Sequence, residues 1–388
     1  MQVPFNKPGI TAIELQYIQQ AASRLKLSGN GHFTKQCQHW LESRLGTRKA
    51  LLTHSGTAAL EMAAILCGVG PGDEVIMPSF TFSSTANAFV LRGATAVFVD
   101  IDPATLNIDP AAAAAAITSK TKAVVPVHYA GVACDMDPLM AMARSAGLAV
   151  VEDAAQALGS SYHGQPLGTF GGASALSFHE TKNIIAGEGG ALLINDPEWL
   201  DRAEIIWEKG TNRAAFSRGE VDKYTWVDLG SSFLPSEITA AFLFAQFERI
   251  DAINGDRLRT WNTYHAAFEP LEASGQLRRP MVPDMTEHNA HIYYLLIQNA
   301  ACLDAVLPRL RSAGIDAVRH YVPLHSSPAG RKHGRTAGAM AVTDDIAERL
   351  VRLPLWSGIA PQEVEAVVAA VWAAIAPELK RPDHGIPR

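Results

Sequence analysis

Lys182 stands in the run SFHETKNIIAGEGGALLIND, residues 177–196, between a short apolar stretch and a cluster of glycines. An amine that is partly desolvated loses its proton more readily and becomes both a nucleophile and a base. Asp153 closes the apolar stretch GLAVVED, 29 residues earlier. An apolar strand of a parallel sheet that ends in an acid presents it at the carboxyl edge, where ligands bind; the same acid could equally cap the next helix. A lysine that forms a Schiff base and an acid that pairs with a pyridinium nitrogen are what a protein contributes to pyridoxal 5'-phosphate chemistry. The glycines of AGEGG would let backbone approach a bulky cofactor closely.

A third piece lies in THSGTAALEMAA, where Ser55, Gly56 and Thr57 fall between a predicted strand and a predicted helix. The first amides of such a helix have no internal partners and suit a phosphate, although Ser-Gly-Thr also serves simple capping. The chain contains no GxxxxGK[ST] loop for ATP, and GNGHFT at 29–34 lacks the third glycine of a dinucleotide fingerprint. Four histidines, His128, His179, His320 and His325, are candidate general acids, but a lysine can carry the proton itself, so none is required. His179 is expected to orient its loop, and His325, in YVPLH, to meet substrate. Lys209 and Arg213, in EKGTNR, could meet a nucleotide diphosphate or could be solvated loop charges.

These residues need a scaffold, and the chain from about 50 to 196 alternates short β-rich runs with helical ones. KALLTHSG, DEVIMPS, TAVFVDID, KAVVPVHYAG, GLAVVED, ASALSFH and GALLIND read as strands; TAALEMAAILCGV, STANAFVLRG and MDPLMAMARSAG read as helices. The alternation predicts a parallel sheet flanked by helices. NIDPAAAAAAI resembles low complexity, yet Asp109 as N-cap and Pro110 at the first helical position mark a helix start. A long helical segment from about Pro235 to Phe268 then leads to a second unit. Its predicted elements are a strand in HNAHIYYLLIQ, a helix in CLDAVLPRLRSAG ended by Gly314, a strand in DAVRHYVPLH and the closing helix PQEVEAVVAAVWAAIA. Two domains are expected, 13–250 and 251–388, with residues 1–12 packing nearby and the tail LKRPDHGIPR loose.

Composition excludes more than it selects. Of 388 residues 48% are apolar, enough for a large core, and the net charge of −6 without a basic run argues against nucleic acid as partner. Four dispersed cysteines without a CxxC pair give no metal site and suit reduced thiols in the cytoplasm. The start MQVPFNKPGITAIEL has no signal-peptide pattern, and no stretch of eighteen apolar residues suggests a membrane span.

In that order along the chain, DAAQALGS, SFHETKN and GEGGALL, with upstream SGTAALEMAA and PGDEVIMPSFTFSSTANAF, resemble the DegT/DnrJ/EryC1/StrS family of sugar aminotransferases over almost the whole length. The resemblance implies an α/β fold of the aspartate aminotransferase kind, PLP-dependent transferase fold type I, with a large mostly parallel-sheet domain and a smaller C-terminal α/β domain. It implies pyridoxal 5'-phosphate as cofactor, L-glutamate as amino donor and a homodimer with active sites at its interface. Lys182 would carry the cofactor, Asp153 would hold its ring nitrogen protonated, and Gln156 would meet the ring hydroxyl. Thr57, Ala58 and Ser177 match the family's phosphate contacts, and Phe82 the aromatic that stacks on the ring. Where many members place an asparagine that reaches a phosphate across the dimer, this chain has Leu234. PFNKP, VPVHYAGVACDMD, EKGTNR and DKYTW narrow the implied acceptor to dTDP-4-keto-6-deoxyglucose and the product to dTDP-4-amino-4,6-dideoxygalactose. The 4-amino-glucose epimer and other keto sugar nucleotides are the alternatives. A sugar dehydratase on the same fold would carry histidine in place of Lys182, and a non-catalytic relative would have lost the lysine–aspartate pair.

Overall fold

Alternate residues of each predicted strand pack into different cores, which is how one sheet comes to be covered on both faces. Ile76, Val97 and Val124 join one apolar cluster, while Val75, Met77 and Phe98 join the other. The sheet they build has eight strands in the order 49–53, 190–194, 173–177, 149–153, 121–124, 74–78, 95–99 and 334–336. The strand Gly190–Ile194 runs antiparallel to both its neighbours, and every other neighbouring pair is parallel. The structure, a computed structural model, describes residues 1–376, so the tail expected to be loose lies outside the described residues.

The second unit is a four-stranded antiparallel sheet in the order 277–278, 293–297, 350–353 and 318–319. Its core includes Tyr264, Tyr293, Leu295, Val367 and Trp372. Val3 joins that core: its amide donates to the Gly314 carbonyl at 2.8 Å, and its own carbonyl accepts from Asp316 at 3.0 Å. The segment then crosses to the large unit, where Asn6 donates to the Glu180 carbonyl at 3.1 Å and the Gly9 carbonyl accepts from Gln246 at 2.9 Å.

Four departures from the sequence reading have identifiable physical causes. The expected helix from Pro235 to Phe268 divides into Glu237–Phe247 and Ile250–Ala267. At the break Gln246 donates to the buried carboxylate of Glu14 at 2.6 Å and Arg249 reaches it at 3.3 Å. The strand expected in KAVVPVHYAG stops at Val124, because Pro126 has no amide to donate and the chain turns through Ala130 at φ +60°. The strand expected in DAVRHYVPLH is only Val318–Arg319, and beyond it Tyr321 takes φ +20°, outside the strand region. Finally, Gly334–Thr336 pairs in parallel with Thr95–Val99 and so belongs to the large sheet, not to the small unit that a boundary at 250 assigns it to. Arg335 holds it there with a two-pronged contact to Glu74, at 2.9 and 2.8 Å.

The start of the helix His32–Leu45 also depends on a distant residue. Gly31 precedes it and supplies no capping side chain. Instead the buried carboxylate of Glu237 accepts the amides of Gly31, Phe33 and Thr34, at 2.8 to 3.0 Å, so one helix caps another.

Candidate active site

A cavity of about 610 Å³ opens at the carboxyl ends of the parallel strands, and the small unit closes its other side. Thr57, Phe82, Asp153, Gln156, Ser177 and Lys182 line it from the large sheet; Tyr321 and Arg352 line it from the small unit. Six residues named from the sequence, each on a different strand end, loop or helix start, are thus brought together.

One end of the cavity is the first turn of the helix Gly56–Leu66. Ser55 caps it, its hydroxyl accepting the Ala58 amide at 3.1 Å. That bond takes Ala58 out of the expected contact set: Ala58 is buried and does not line the cavity. The Gly56 and Thr57 amides come first in the helix, where no intrahelical acceptor exists, and both residues line the cavity. The Thr57 hydroxyl lies 2.7 Å from that of Ser84, and Ser177 stands opposite. Amides at a helix N-terminus together with hydroxyls form an anion cradle.

Glycine is required here for a reason other than the one expected. A Cβ on Gly190 would stand 2.5 Å from the Gly56 amide nitrogen, and one on Gly56 would stand 2.8 Å from Cβ of Ser177. The close approach is between the chain's own segments, strand against helix start, and it fixes the cradle beside Ser177. Gly187 turns the loop at φ +75°.

Asp153 is the last residue of its strand, and alternation along the strand turns its neighbour Glu152 the other way. Asp153 Oδ2 accepts the Thr85 hydroxyl at 2.7 Å and Oδ1 the Ala155 amide at 3.2 Å, so the carboxylate is held in place while facing the cavity. Glu152, fully buried, accepts the amides of Gly168, Phe170 and Gly171 at 2.7 to 2.8 Å and lies 2.9 Å from His128 Nε2. The His128 Nδ1 accepts the Cys134 amide, which leaves Nε2–H to donate to Glu152. This pair anchors the strand end that carries Asp153 and gives His128 a structural task.

Lys182 sits in the connection between Ala173–Ser177 and Gly190–Ile194. Its amide donates to the His179 carbonyl at 2.9 Å. The neighbouring Asn183 side chain is tied to Asn254 and to the Asn289 carbonyl, at 2.9 and 2.8 Å, and contacts His291 at 3.0 Å. Burial pushes the Lys182 amine down to about 8; Asp153 opposes that shift and the charge of Arg352 adds to it. Burial likewise holds His291 and His320, both on the cavity wall, well below the usual imidazole range. His179 makes a bond with Thr181 at 2.9 Å, within its own loop.

Gln156 lines the cavity with both ends of its amide engaged. Oε1 accepts the Ala130 amide at 2.7 Å, and Nε2 donates to the Tyr321 hydroxyl at 2.9 Å, across the two units. Phe82 is 59% exposed, a large aromatic on the cavity wall with little protein over it.

Three expected substrate contacts are placed elsewhere. Lys209 and Arg213 do not line the cavity; the buried carboxylate of Glu208 draws both, at 3.5 and 3.8 Å. His325 lies behind the wall, its Nδ1 2.7 Å from the Ser79 hydroxyl and its Nε2 3.3 Å from Asp344. Sequence reasoning in turn missed Tyr321 and Arg352. Arg352 sits inside the apolar run LVRLPLW, where an isolated charge reads as the solvent side of a strand.

Comparison with known proteins follows the same outline. Residues 8–372 match the DegT/DnrJ/EryC1/StrS aminotransferase family. The chain is 34% identical over 377 residues to the spore coat polysaccharide biosynthesis protein SpsC of Bacillus subtilis strain 168, covering 95% of this chain and 96% of that one. It superposes with a TM-score of 0.88 on the aminotransferase TlmJ from Streptoalloteichus hindustanus, at 29% identity, with 97% and 99% of the two chains covered. The PLP form of the putative sugar aminotransferase Spr1654 from Streptococcus pneumoniae is also similar, with TM-score 0.88, 26% identity, and 98% and 100% covered.

Proposed function

Because the chain belongs to the DegT/DnrJ/EryC1/StrS aminotransferase family, we propose that it moves the amino group of L-glutamate to the C4 ketone of dTDP-4-keto-6-deoxyglucose, giving dTDP-4-amino-4,6-dideoxygalactose. The observation that carries the transaminase reading is the meeting of Lys182, Asp153 and the Gly56–Thr57 helix start in one cavity.

That donor set fits pyridoxal phosphate. The Gly56 and Thr57 amides, with the hydroxyls of Thr57, Ser84 and Ser177, would hold its phosphate. Asp153, already oriented by Thr85 and Ala155, would face the ring nitrogen and keep it charged. Phe82 would cover a ring face. Bound there, the cofactor supplies an electron sink and carries the amino group between donor and acceptor. Lys182 Nζ would anchor it covalently and, once displaced by substrate, take and return the proton at the reacting carbon. An amine lowered to about 8 suits both directions of that transfer near neutral pH.

The acceptor assignment draws on EKGTNR, DKYTW and VPVHYAGVACDMD rather than on contacts within one chain, since Lys209 and Arg213 pair with Glu208 away from the cavity. The test is incubation of enzyme, glutamate and the dTDP-4-keto sugar with proton couplings at H4 read from the product. A small H3–H4 coupling is expected. A large axial–axial coupling would identify the gluco epimer, and no amination of any 4-keto sugar nucleotide would remove the substrate class.

A homodimer is part of the same reading. Trp226 is 75% exposed, and Tyr224, Val227, Leu229 and Phe216 are exposed around it on the segment that follows Lys209 and Arg213. Clustered exposed apolar side chains suit burial against a second copy. Sedimentation velocity should give twice the chain mass; an active monomer would contradict the assignment.

A further inference from the structure

Asp153 lines the cavity, but the residue that aims it does not. The Thr85 hydroxyl donates to Asp153 Oδ2, and Thr85 is fully buried behind the cavity wall. A second hydroxyl stands behind the first: Thr81 Oγ1 lies 2.8 Å from Thr85 Oγ1. An ionised carboxylate can only accept, so the single hydroxyl hydrogen of Thr85 is committed to Asp153, and Thr81 must be the donor to Thr85. The three side chains therefore form a one-way chain, from Thr81 through Thr85 to Asp153, in which each donor polarises the next. Both threonines are buried, so water has little access to their hydroxyls.

The same short stretch sets two other parts of the wall. Phe82, the exposed aromatic, follows Thr81 directly, and its carbonyl accepts the Thr85 amide at 3.2 Å. Ser84 stands against the Thr57 hydroxyl of the anion cradle. Ser84 and Thr85 belong to the first turn of the helix Ser83–Val90, which holds them at a fixed spacing. Positions 82, 84 and 85 thus fix an aromatic face, an anion cradle and a carboxylate direction relative to one another. An apolar side chain at position 85 would pack this helix against the strand without needing a partner. A hydroxyl there is called for only where the carboxylate has to be held in one orientation.

We propose that Thr85 is the positioning residue for Asp153: with Thr81 behind it, it aims the remaining lone pair of the carboxylate at the ring nitrogen of the cofactor. This rests on the reading of the chain as a pyridoxal phosphate-dependent transaminase. Thr85 touches neither cofactor nor substrate and acts through Asp153 alone. Its loss should therefore be felt by a ring that has a nitrogen and not by one that lacks it, whereas a residue that merely packed the helix would serve both rings alike.

The test is calorimetry on the full cofactor-free chain with two ligands that cannot bond to Lys182: pyridoxine 5'-phosphate, and its deaza analogue with CH in place of the ring nitrogen. Wild type should prefer the first. Thr85→Val keeps the shape and removes the hydroxyl; it should bind pyridoxine 5'-phosphate about tenfold more weakly, the scale of one hydrogen bond to a charged group, and the deaza analogue within about twofold of wild type. Thr85→Ser should restore most of the loss. Thr81→Val, which leaves the bond to Asp153 in place, should show the same selectivity at about threefold, and it carries the test if Thr85→Val does not fold. In the holoenzyme, Thr85→Val should lower kcat of the glutamate half-reaction roughly tenfold with KM within about threefold, because no substrate contact is removed. Equal weakening of both ligands, unchanged binding of pyridoxine 5'-phosphate, or a Thr85→Ser variant no better than Thr85→Val would each overturn the assignment. Failure of the reading beneath it has a different signature: a wild type that binds the two ligands alike, or neither of them.

Discussion

Turnover should fall by roughly four orders of magnitude or more when Lys182 is replaced by alanine, because one side chain carries both covalent attachment and proton transfer. The variant should fold, since Asn183 and the His179 carbonyl bond hold the loop without the Lys182 side chain. It should take up pyridoxal phosphate without a covalent link, so borohydride reduction followed by peptide mapping should label Lys182 in the wild type and nothing in the variant. Label on another lysine, or near-normal amination by the variant, would remove the mechanism. The same substitution has a second signature in the cofactor-free protein. Lys182 titrates at about 8 instead of 10.5, chiefly through burial. Between those values the unfolded chain binds the proton that the folded one has lost, so this residue makes stability rise with pH through that window and contributes no slope below it. Urea denaturation of wild type and Lys182→Ala across the window should show the slope in the first and its loss in the second.

Asp153→Ala should raise the barrier by about 3 kcal/mol, roughly two orders of magnitude in rate, the usual scale for losing an oriented electrostatic partner. Its carboxylate makes bonds that fix its direction: the Thr85 hydroxyl on one oxygen and the Ala155 amide on the other. The neighbouring Glu152, turned to the opposite face, does the structural work of the strand end and is untouched. Asp153→Asn should keep most of the bonding and still be slow, because the amide brings no negative charge. Full activity in either variant, measured as kcat/KM with glutamate and the keto sugar, would reduce the strand-end acid to a cap.

What the sequence made legible was whatever is encoded locally. Asp109 caps its helix as read, its carboxylate accepting the Ala111 amide at 2.8 Å, and Gly314 ends its helix with φ +84°. Asp153, Lys182 and Thr57 could be placed at one sheet edge because strand ends and helix starts in a parallel sheet share that edge. What stayed hidden was decided at a distance. Ala58 carries an amide that looks available until Ser55 is seen to use it. Lys209 and Arg213 look like anion binders until the buried Glu208 is found beneath them. Arg352 lines a cavity whose other wall comes from residues between Thr57 and Lys182, far earlier in the chain, and no pattern within its own strand reveals that. The helix break near Arg249 depends on Glu14, more than two hundred residues away.

The strand Gly334–Thr336 bears on how the chain reaches this structure as it is made. It closes the outer edge of the large sheet, beside Thr95–Val99, and Arg335 is clamped to Glu74 from the far side of the chain. Until residue 336 has left the ribosome, the edge of Thr95–Val99 has no partner, and an open edge in a nascent sheet invites pairing with other chains. The first 250 residues are therefore not a unit that can be finished and set aside while the rest is synthesised. The chain has to leave the large sheet, pair Leu277–Arg278 with Tyr293–Ile297, return to complete the first sheet, and only then add Leu350–Leu353, which joins Val318–Arg319 to that pair and brings Arg352 to the cavity wall. A contact of such long sequence separation places closure of the active site late in folding, together with completion of the antiparallel sheet.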